Sequence, residues 1–489
     1  MSGLADYQEG FLGGEQEGAM ELLKAMQAGA ITGRDTANQT LTMEPLKAES
    51  LETTLKLLEY RQKDIKLLNR MPKLTAYNTV EEFLQLQSYG INRGGFYNEG
   101  ELSDTEDSQY VRRAEKIKYL QITGEVTMQA QMVRSYVDAM KQEVENKTMW
   151  VTRKANITLT KGDEDIIPQE WNSIYKQHAS VGSATGMLYT TLNDYFNSNV
   201  IYDLRGASLK QADLEKAALA VDDNFGNVSD LFAPPSVISA LAQDYYNDQR
   251  ILLNASSPGA YSGTIGTVPK AIATTMGDVA LMGDKFMKTD TDKLLTANAD
   301  PKAPSAPTVG AVPALAVDAS SKYVAGETGA VLYAVSAVNR FGESALTLLD
   351  AATIAITAGS SVDLTFTATA SANAATGYKI YRTLVGGSST SKFYPILTVS
   401  TAQLAAGYDG AAALSVRDRG RILPNCEQAF ITEMVDEVLS FKQLAPISKL
   451  DLAVISMSRR FITFMFATPQ LYTPRKMVRF INAAKVLTA

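Results

Sequence analysis

The sequence predicts an α+β protein whose chain is interrupted by an all-β sandwich. Three observations carry this. Between about Pro301 and about Gly420 the composition shifts to Ala, Thr, Ser, Gly and Val, with sparse charge and short alternating runs. Upstream, apolar residues recur at helical spacing among charges of both signs. Downstream, the charged helical character returns at Glu427 and passes into a strand-rich end.

At 489 residues the chain has room for more than one domain and a sizeable core. Its formal net charge of -7 gives no basic stripe for sequence-specific nucleic-acid binding. One cysteine, Cys426, rules out an intrachain disulfide, and with one histidine, His178, a zinc site of Cys and His is excluded. No apolar run reaches the roughly 18–20 residues of a membrane helix. Met1 to Gly18 is polar, acidic and Gly-rich, unlike a signal peptide.

Residues 1–45 read as an extended arm with short helical pieces. Leu46 to Asn69 reads as a helix, with Leu51, Leu55, Leu58 and Ile65 near helical spacing, ended by Met71-Pro72. Residues 73–127 read as a long hairpin with arms Leu74–Tyr89 and Tyr110–Thr127. Its tip, Ile91 to Gln109, reads as polar, and the hairpin, like the arm, is expected to be poor in apolar residues. Met128 to about Ala155 carries Val133, Tyr136, Val137, Met140, Val144 and Val151 on one stripe, which predicts a long helix.

Glu170 to Tyr175 is a candidate short helix after Pro168. Ser208 is expected to cap a helix over Leu209–Asn224, with Asp213 in its first turns and Gly226 beyond its end. Val228 to Phe232 reads as a strand, followed after Pro234-Pro235 by a helix through Val237, Ile238, Leu241 and Tyr245. Residues 254–288 read as punctuated strands, such as Val279–Met282. Asp290 to Pro307 reads as a linker stiffened by Pro301, Pro304 and Pro307.

Within the interruption, Val362, Leu364, Phe366 and Ala368 alternate with Asp363, Thr365, Thr367 and Thr369. Val331, Tyr333 and Val335 alternate likewise, and Gly386 to Ser389 reads as a hairpin loop between Tyr378–Leu384 and Phe393–Val399. Roughly 120 residues with turn signals every 8–12 suit a small sandwich. Its ends, near Pro301 and Arg421, are expected to lie close together. Beyond it, Cys426 to Leu444 reads as a helix with Ile431, Met434, Val435, Val438 and Leu439 on one face. Arg459 to Phe466 reads as a central strand, and Thr473 to Lys476 as a turn into a closing strand, Met477–Ile481.

No catalytic constellation emerges. His178 lies near Ser180, but no Gly-x-Ser-x-Gly elbow surrounds that serine. Cys426 opens the expected helix, where a thiol pKa can fall, but no second histidine exists to act as base. Asp163-Glu164-Asp165 lacks the glycine and terminal glutamate of a calcium loop and reads as solvated. Gly94-Gly95 and Gly263-x-x-Gly266 are not followed by the Lys-Ser or Lys-Thr of a phosphate loop. Tyr245-Tyr246 and Arg459-Arg460 are weak signals of anchors and core-edge ion pairs. The expectation is a protein with no cofactor and no turnover.

The order of parts resembles the major capsid proteins of tailed bacteriophages, with their Hong Kong 97-type fold. Ser208 to Leu253, with Asp230-Leu231-Phe232-Ala233-Pro234-Pro235, is similar to the family's run into its axial domain. So is the ending: Leu444-Ala445-Pro446, an apolar strand, then Leu471-Tyr472-Thr473-Pro474-Arg475-Lys476-Met477-Val478-Arg479-Phe480-Ile481. Ser336 to Ser344 and Thr376 to Arg382 resemble the immunoglobulin-like or fibronectin type III modules that phage proteins carry. Gly407-Tyr408-Asp409 resembles their tyrosine corner.

The resemblance implies an N-terminal arm and helix over 1–72 and an extended hairpin over 73–127. The spine helix with peripheral and axial domains follows over 128–300, then an inserted sandwich over 301–421 and a return to the body over 422–489. It implies self-assembly into hexamers and pentamers of an icosahedral head. Portal, scaffold and decoration proteins are implied partners, as is double-stranded DNA held without sequence specificity; no membrane is involved. The protein would reside in the virion capsid, and in the host cytoplasm during assembly. The hairpin residues Arg93, Glu99, Glu101, Asp104, Glu106, Asp107, Arg112 and Arg113 are the expected intersubunit contacts. Two other classes stay open: a decoration or host-glycan-binding protein, and a carboxylate-dependent hydrolase.

Overall fold

A computed structural model describes residues 61–89, 96–102, 105, 107–132, 138–178, 201–246, 253–254, 262–263, 270–289, 301–369, 373–454 and 456–486. The arm 1–45 and all but the end of the helix expected over Leu46–Asn69 lie outside them. That end is a single turn, Leu67–Arg70, and Met71 before Pro72 is extended (ψ 133°).

Two sheets make the body. The first has the order β1 (Lys73–Thr75), β10 (Leu439–Asp451), β11 (Ser458–Leu471), β4 (Lys118–Thr127). β11 is central, as its apolar content on both faces predicts, and Phe461, Met465 and Ala467 are buried. The long helix α1 (Ala139–Lys161) packs on this sheet through its C-terminal half. The second sheet runs β5 (Ile201–Asp203), β12 (Met477–Ala483), β9 (Glu427–Thr432), β6 (Asp230–Ala233), β8 (Gly277–Gly283), β7 (Ala271–Thr274). Helices α2 (Gln211–Asp222) and α3 (Pro235–Tyr246) share its core, in which Leu214, Val221, Leu231, Leu241, Ile431 and Phe480 are buried. All four residues of β6 are buried, and Pro235 begins α3 at a position where its missing N–H costs nothing.

The long helix begins later than its apolar stripe suggests. Met128–Met132 is a separate short helix, and α1 starts after Asp138, whose side chain accepts from the N–H of Met140 (2.9 Å) and Lys141 (3.3 Å). Val133, Tyr136 and Val137 lie outside the described residues. α1 continues past Ala155 because its threonines satisfy themselves: Thr152 donates to Thr148 O at 2.8 Å and Thr158 to Lys154 O at 2.9 Å. Gly162 ends it where a Cβ would meet Trp171 O at 2.6 Å and Thr158 O at 2.7 Å.

The helix expected over Cys426–Leu444 is instead β9, a turn, and β10. Val438 N and Leu439 N both bond Val435 O, at 3.2 and 3.0 Å, so one helix-like turn does exist there. Ile431 belongs to a strand because β9 is paired on both sides, by β6 and β12, and Leu439 because it opens β10 opposite Leu471 of β11. Tertiary pairing overrides a spacing that fits either structure.

The expected hairpin divides at Ile117. Among the described residues, β2 (Val80–Ser88) and β3 (Gln109–Lys116) pair only with each other, from Val80↔Lys116 to Ser88↔Gln109. Beyond Ile117 the second arm becomes β4 and joins β11.

Residues 301–421 are all-β apart from one-turn helical pieces. One sheet centres on the strand Ser360–Thr367, flanked by Ala314–Val317 with Thr308–Val309 on one side and Ser415–Asp418 on the other. A second holds Tyr333–Asn339, Gly377–Arg382 and Tyr394–Ser400. Val335, Val362, Leu364, Phe366, Tyr378, Ile380, Val399 and Val416 form a core between them.

The first and last strands of this region meet opposite ends of the central strand. Thr308 pairs with Thr367 and Asp418 with Val362, about 17 Å apart along the central strand. The body residues that flank the region do meet. Thr289 Oγ1 donates to Cys426 O at 3.0 Å, and its N–H to the Glu427 carboxylate at 2.7 Å. Arg205, in the left-handed conformation (φ 49°), fastens the sandwich to the body. It pairs with Glu327 and donates to Gly420 O at 2.6 Å and to Lys322 O.

Candidate assembly surface

The hairpin β2–β3 is a two-stranded sheet, and two isolated strands are marginal in water. Its inner face is anchored at the base. Phe83 meets Tyr472 edge-on at 4.8 Å, Gln85 donates to Tyr472 O, and Gln470 Nε2 donates to Glu81 O at 3.3 Å. Arg113 Nε donates to Gln85 Oε1 at 2.6 Å and belongs to this anchor.

The outer face and tip are bare. Phe96 is fully exposed (100%), and Tyr77, Leu84, Tyr89, Leu102 and Tyr110 are exposed along the hairpin from base to tip. This corrects the reading of the hairpin as polar and poor in apolar residues. An exposed apolar cluster of this kind marks an interaction surface.

The charges expected to make intersubunit contacts are partly used within the hairpin. Arg112 pairs with Glu82 across the strands. Glu101 accepts from the backbone N–H of Asn98 at 2.9 Å and from its side chain at 3.1 Å, and these bonds hold its carboxyl below the usual value. Glu99 and Asp107 are exposed. Arg93, Asp104 and Glu106 lie outside the described residues.

A polar joint ties the hairpin base to the loop after α1. Glu115 lies beside Asn172 Nδ2 (3.4 Å), which also approaches Glu164 (3.5 Å). Lys118 Nζ bonds Glu164 at 2.9 Å, and Lys176 pairs with Asp163 and, at 2.8 Å, with Asp165. Burial pushes the Glu115 carboxyl up to about 7, and the charge of Glu164 adds to that. Burial also raises Asp163. The Asp163-Glu164-Asp165 run is therefore an ion-paired joint rather than a solvated loop. Among the described residues, no group of three or more His, Cys, Asp or Glu side chains is placed to hold a metal ion.

The remaining candidates are structural. His178 is fully buried, with Nε2 2.7 Å from Met477 O, and burial pushes its pKa down to about 4. Ser180 lies outside the described residues. Cys426 precedes a strand rather than opening a helix, and burial pushes its thiol up to about 11, away from the thiolate. Arg460 pairs with Glu125 at 3.1 Å. No described helix is long and apolar enough to cross a membrane.

The sequence model of the SU10 major capsid protein family matches residues 30–303. The chain belongs to that family. This capsid protein is 23% identical over 451 residues to the putative major capsid protein of Enterococcus phage phiEF24C, covering 91% of each chain. It is 22% identical over 490 residues to the major capsid protein of Staphylococcus phage S25-3, covering 98% of this chain and 97% of that one. Among solved structures, the capsid of a native GTA particle aligns with 93% of this chain and 100% of its own, with TM-score 0.44 and 8% identity. The capsid of cyanophage P-SCSP1u aligns with 93% of this chain and 98% of its own, also with TM-score 0.44 and 8% identity. The expected recognition as a phage major capsid protein, its place in the virion and its α+β class stand.

Proposed function

We propose that this capsid protein assembles with copies of itself into hexamers and pentamers of an icosahedral head that encloses double-stranded DNA. The hairpin β2–β3 lies across the neighbouring subunit, and the sandwich at 301–421 is an inserted module on the outer side. The observation that carries this reading is the hairpin: two strands paired, among the described residues, only with each other, with Leu84 and Tyr110 on them and Phe96 and Leu102 in their connection all exposed. Burying each such side chain against a neighbour is worth about 1.5–3 kcal/mol. The tip charges contribute about 0–1 kcal/mol apiece, so the apolar residues, more than Glu99 or Asp107, drive the contact.

The work is mechanical, with no turnover and no cofactor. Glu115 and Glu164 are two acids that approach one another, but Lys118 holds Glu164 in the joint, which fits a structural role better than a hydrolase pair. The mildly acidic balance suits a container whose wall does not grip its DNA. Portal, scaffold and decoration proteins are natural further partners of such a head.

Electron microscopy of the purified protein tests the reading. Closed shells are expected. A folded protein that stays monomeric at every concentration and ionic strength tried would refute it.

A further inference from the structure

Among the described residues, the strand Ala314–Val317 is an edge of the sheet centred on Ser360–Thr367. From Gly310 to Val317 the chain reads Gly-Ala-Val-Pro-Ala-Leu-Ala-Val, without a charge. Leu315 is 43% exposed and Val317 97%. Edge strands are ordinarily blunted by lysines, bulges or inward-pointing charges, because their free backbone groups are a template for another strand. Between Ala314 and Val317 this edge has none of these; a two-residue slip of register and Pro313 precede the stretch, and Asp318 follows it.

The ladder fixes which backbone groups are free. Leu315 stands opposite Val362 and Val317 opposite Ser360, while Asp318 N donates to Gly359 O at 3.0 Å. Antiparallel pairs alternate between bonded and unbonded, so Ala314, Ala316 and Asp318 bond inward. The N–H and C=O groups of Leu315 and Val317 point out of the sheet.

We propose that this edge pairs with the same edge of a second copy of the chain, antiparallel, about a two-fold axis through Ala316. That register sets Leu315 against the second copy's Val317 and the reverse, and satisfies every free group on both strands. Leu315 and Val317 lie on the core side of their sheet, so both pairs extend one apolar face. Ala316 meets its own copy on the other face, where only small side chains allow close approach, and Ala314 stands opposite the second copy's Asp318, whose carboxylate Arg419 already holds. An uncharged strand with this symmetry is its own complement, which an isologous contact requires. The inference rests on the assembly reading, which brings copies together at high local concentration.

The test uses the full chain carrying Ala316→Cys and Cys426→Ser. An unbonded antiparallel pair holds its Cα atoms about 4.5 Å apart, within disulfide reach. Assembled particles are treated with oxidised glutathione, which takes the two electrons and two protons of the thiol pair, and are run on a non-reducing gel. A dominant covalent dimer is expected, lost when Val317→Lys is added. Particles that form normally but give no dimer overturn the inference. That holds whether the introduced thiol labels freely with a maleimide, showing a bare edge, or is protected, showing another occupant. If the unaltered protein forms no particles, it is the assembly reading that fails. The same gel on concentrated soluble protein then decides the edge by itself.

Discussion

The hairpin β2–β3 and the sandwich at 301–421 are both built from antiparallel strands, yet they solve opposite problems. The sandwich folds two sheets onto each other, so Val362, Leu364 and Phe366 find Tyr378, Ile380 and Val399 within the same chain. The hairpin has one layer. Its inner face borrows Tyr472, and its outer face meets nothing in its own chain among the described residues. A strand pair that closes its own core can be added to a protein without altering what the protein binds. One that leaves a face open commits its protein to a partner.

The largest expected effect breaks the hairpin side of this comparison. Leu84→Asp, Phe96→Asp and Leu102→Asp together should abolish shells while leaving the thermal midpoint of the unassembled protein nearly unchanged, since exposed substitutions cost within about 0.5 kcal/mol each. Sedimentation and calorimetry of the triple variant check both halves. A triple variant that still assembles removes the hairpin from the interface.

Next comes the sandwich core. Phe366→Ala should cost about 3–5 kcal/mol, confined to that region. Hydrogen exchange should show protection lost over 308–418 and retained in the second body sheet. Protection lost everywhere would mean that the sandwich and the body fold as one.

A smaller effect concerns the joint. The Glu115 carboxyl is raised from 4.5 to about 7. Its contribution to stability is therefore fully present below about pH 4.5 and is lost as pH rises through about 7. Glu115→Gln should remove that dependence, a difference on the order of 2 kcal/mol between pH 5 and pH 8 for a group partly in contact with solvent. Urea unfolding at the two pH values measures it, and equal slopes with pH in the two proteins would rule the joint out. Smallest of all, Cys426→Ser should shift stability by about 1 kcal/mol or less and leave shell formation intact by electron microscopy.

The sandwich was the most legible part of the sequence because strict alternation at Val362 to Thr367 has no competing helical reading. The end of the chain was less so: Ile431, Val435, Val438 and Leu439 fit helical spacing, and only the flanking strands β6, β11 and β12 decide otherwise. The start of α1 was hidden because Asp138 interrupts an apolar stripe that continues through it. The joint could not be read at all, since Lys118 lies 46 residues from Glu164 and nothing local pairs them. The bare aromatic residues of the hairpin tip were present in the sequence, but a phenylalanine carries no mark of whether it will be covered.

The clasp at Arg205 has a consequence for how the sandwich meets its surroundings. A module tethered by flexible links would sample many orientations, and each copy would act alone. Held by Glu327 and the carbonyls of Lys322 and Gly420, it is presented at one angle on every subunit. On a shell built as proposed, the spacing and direction of its surfaces repeat with the lattice. A ligand too weak to hold one copy could be retained by several at once, because each further contact is made at high effective concentration without a new search. Loosening Arg205 would then lower avidity for a multivalent surface while leaving the affinity of a single site unchanged.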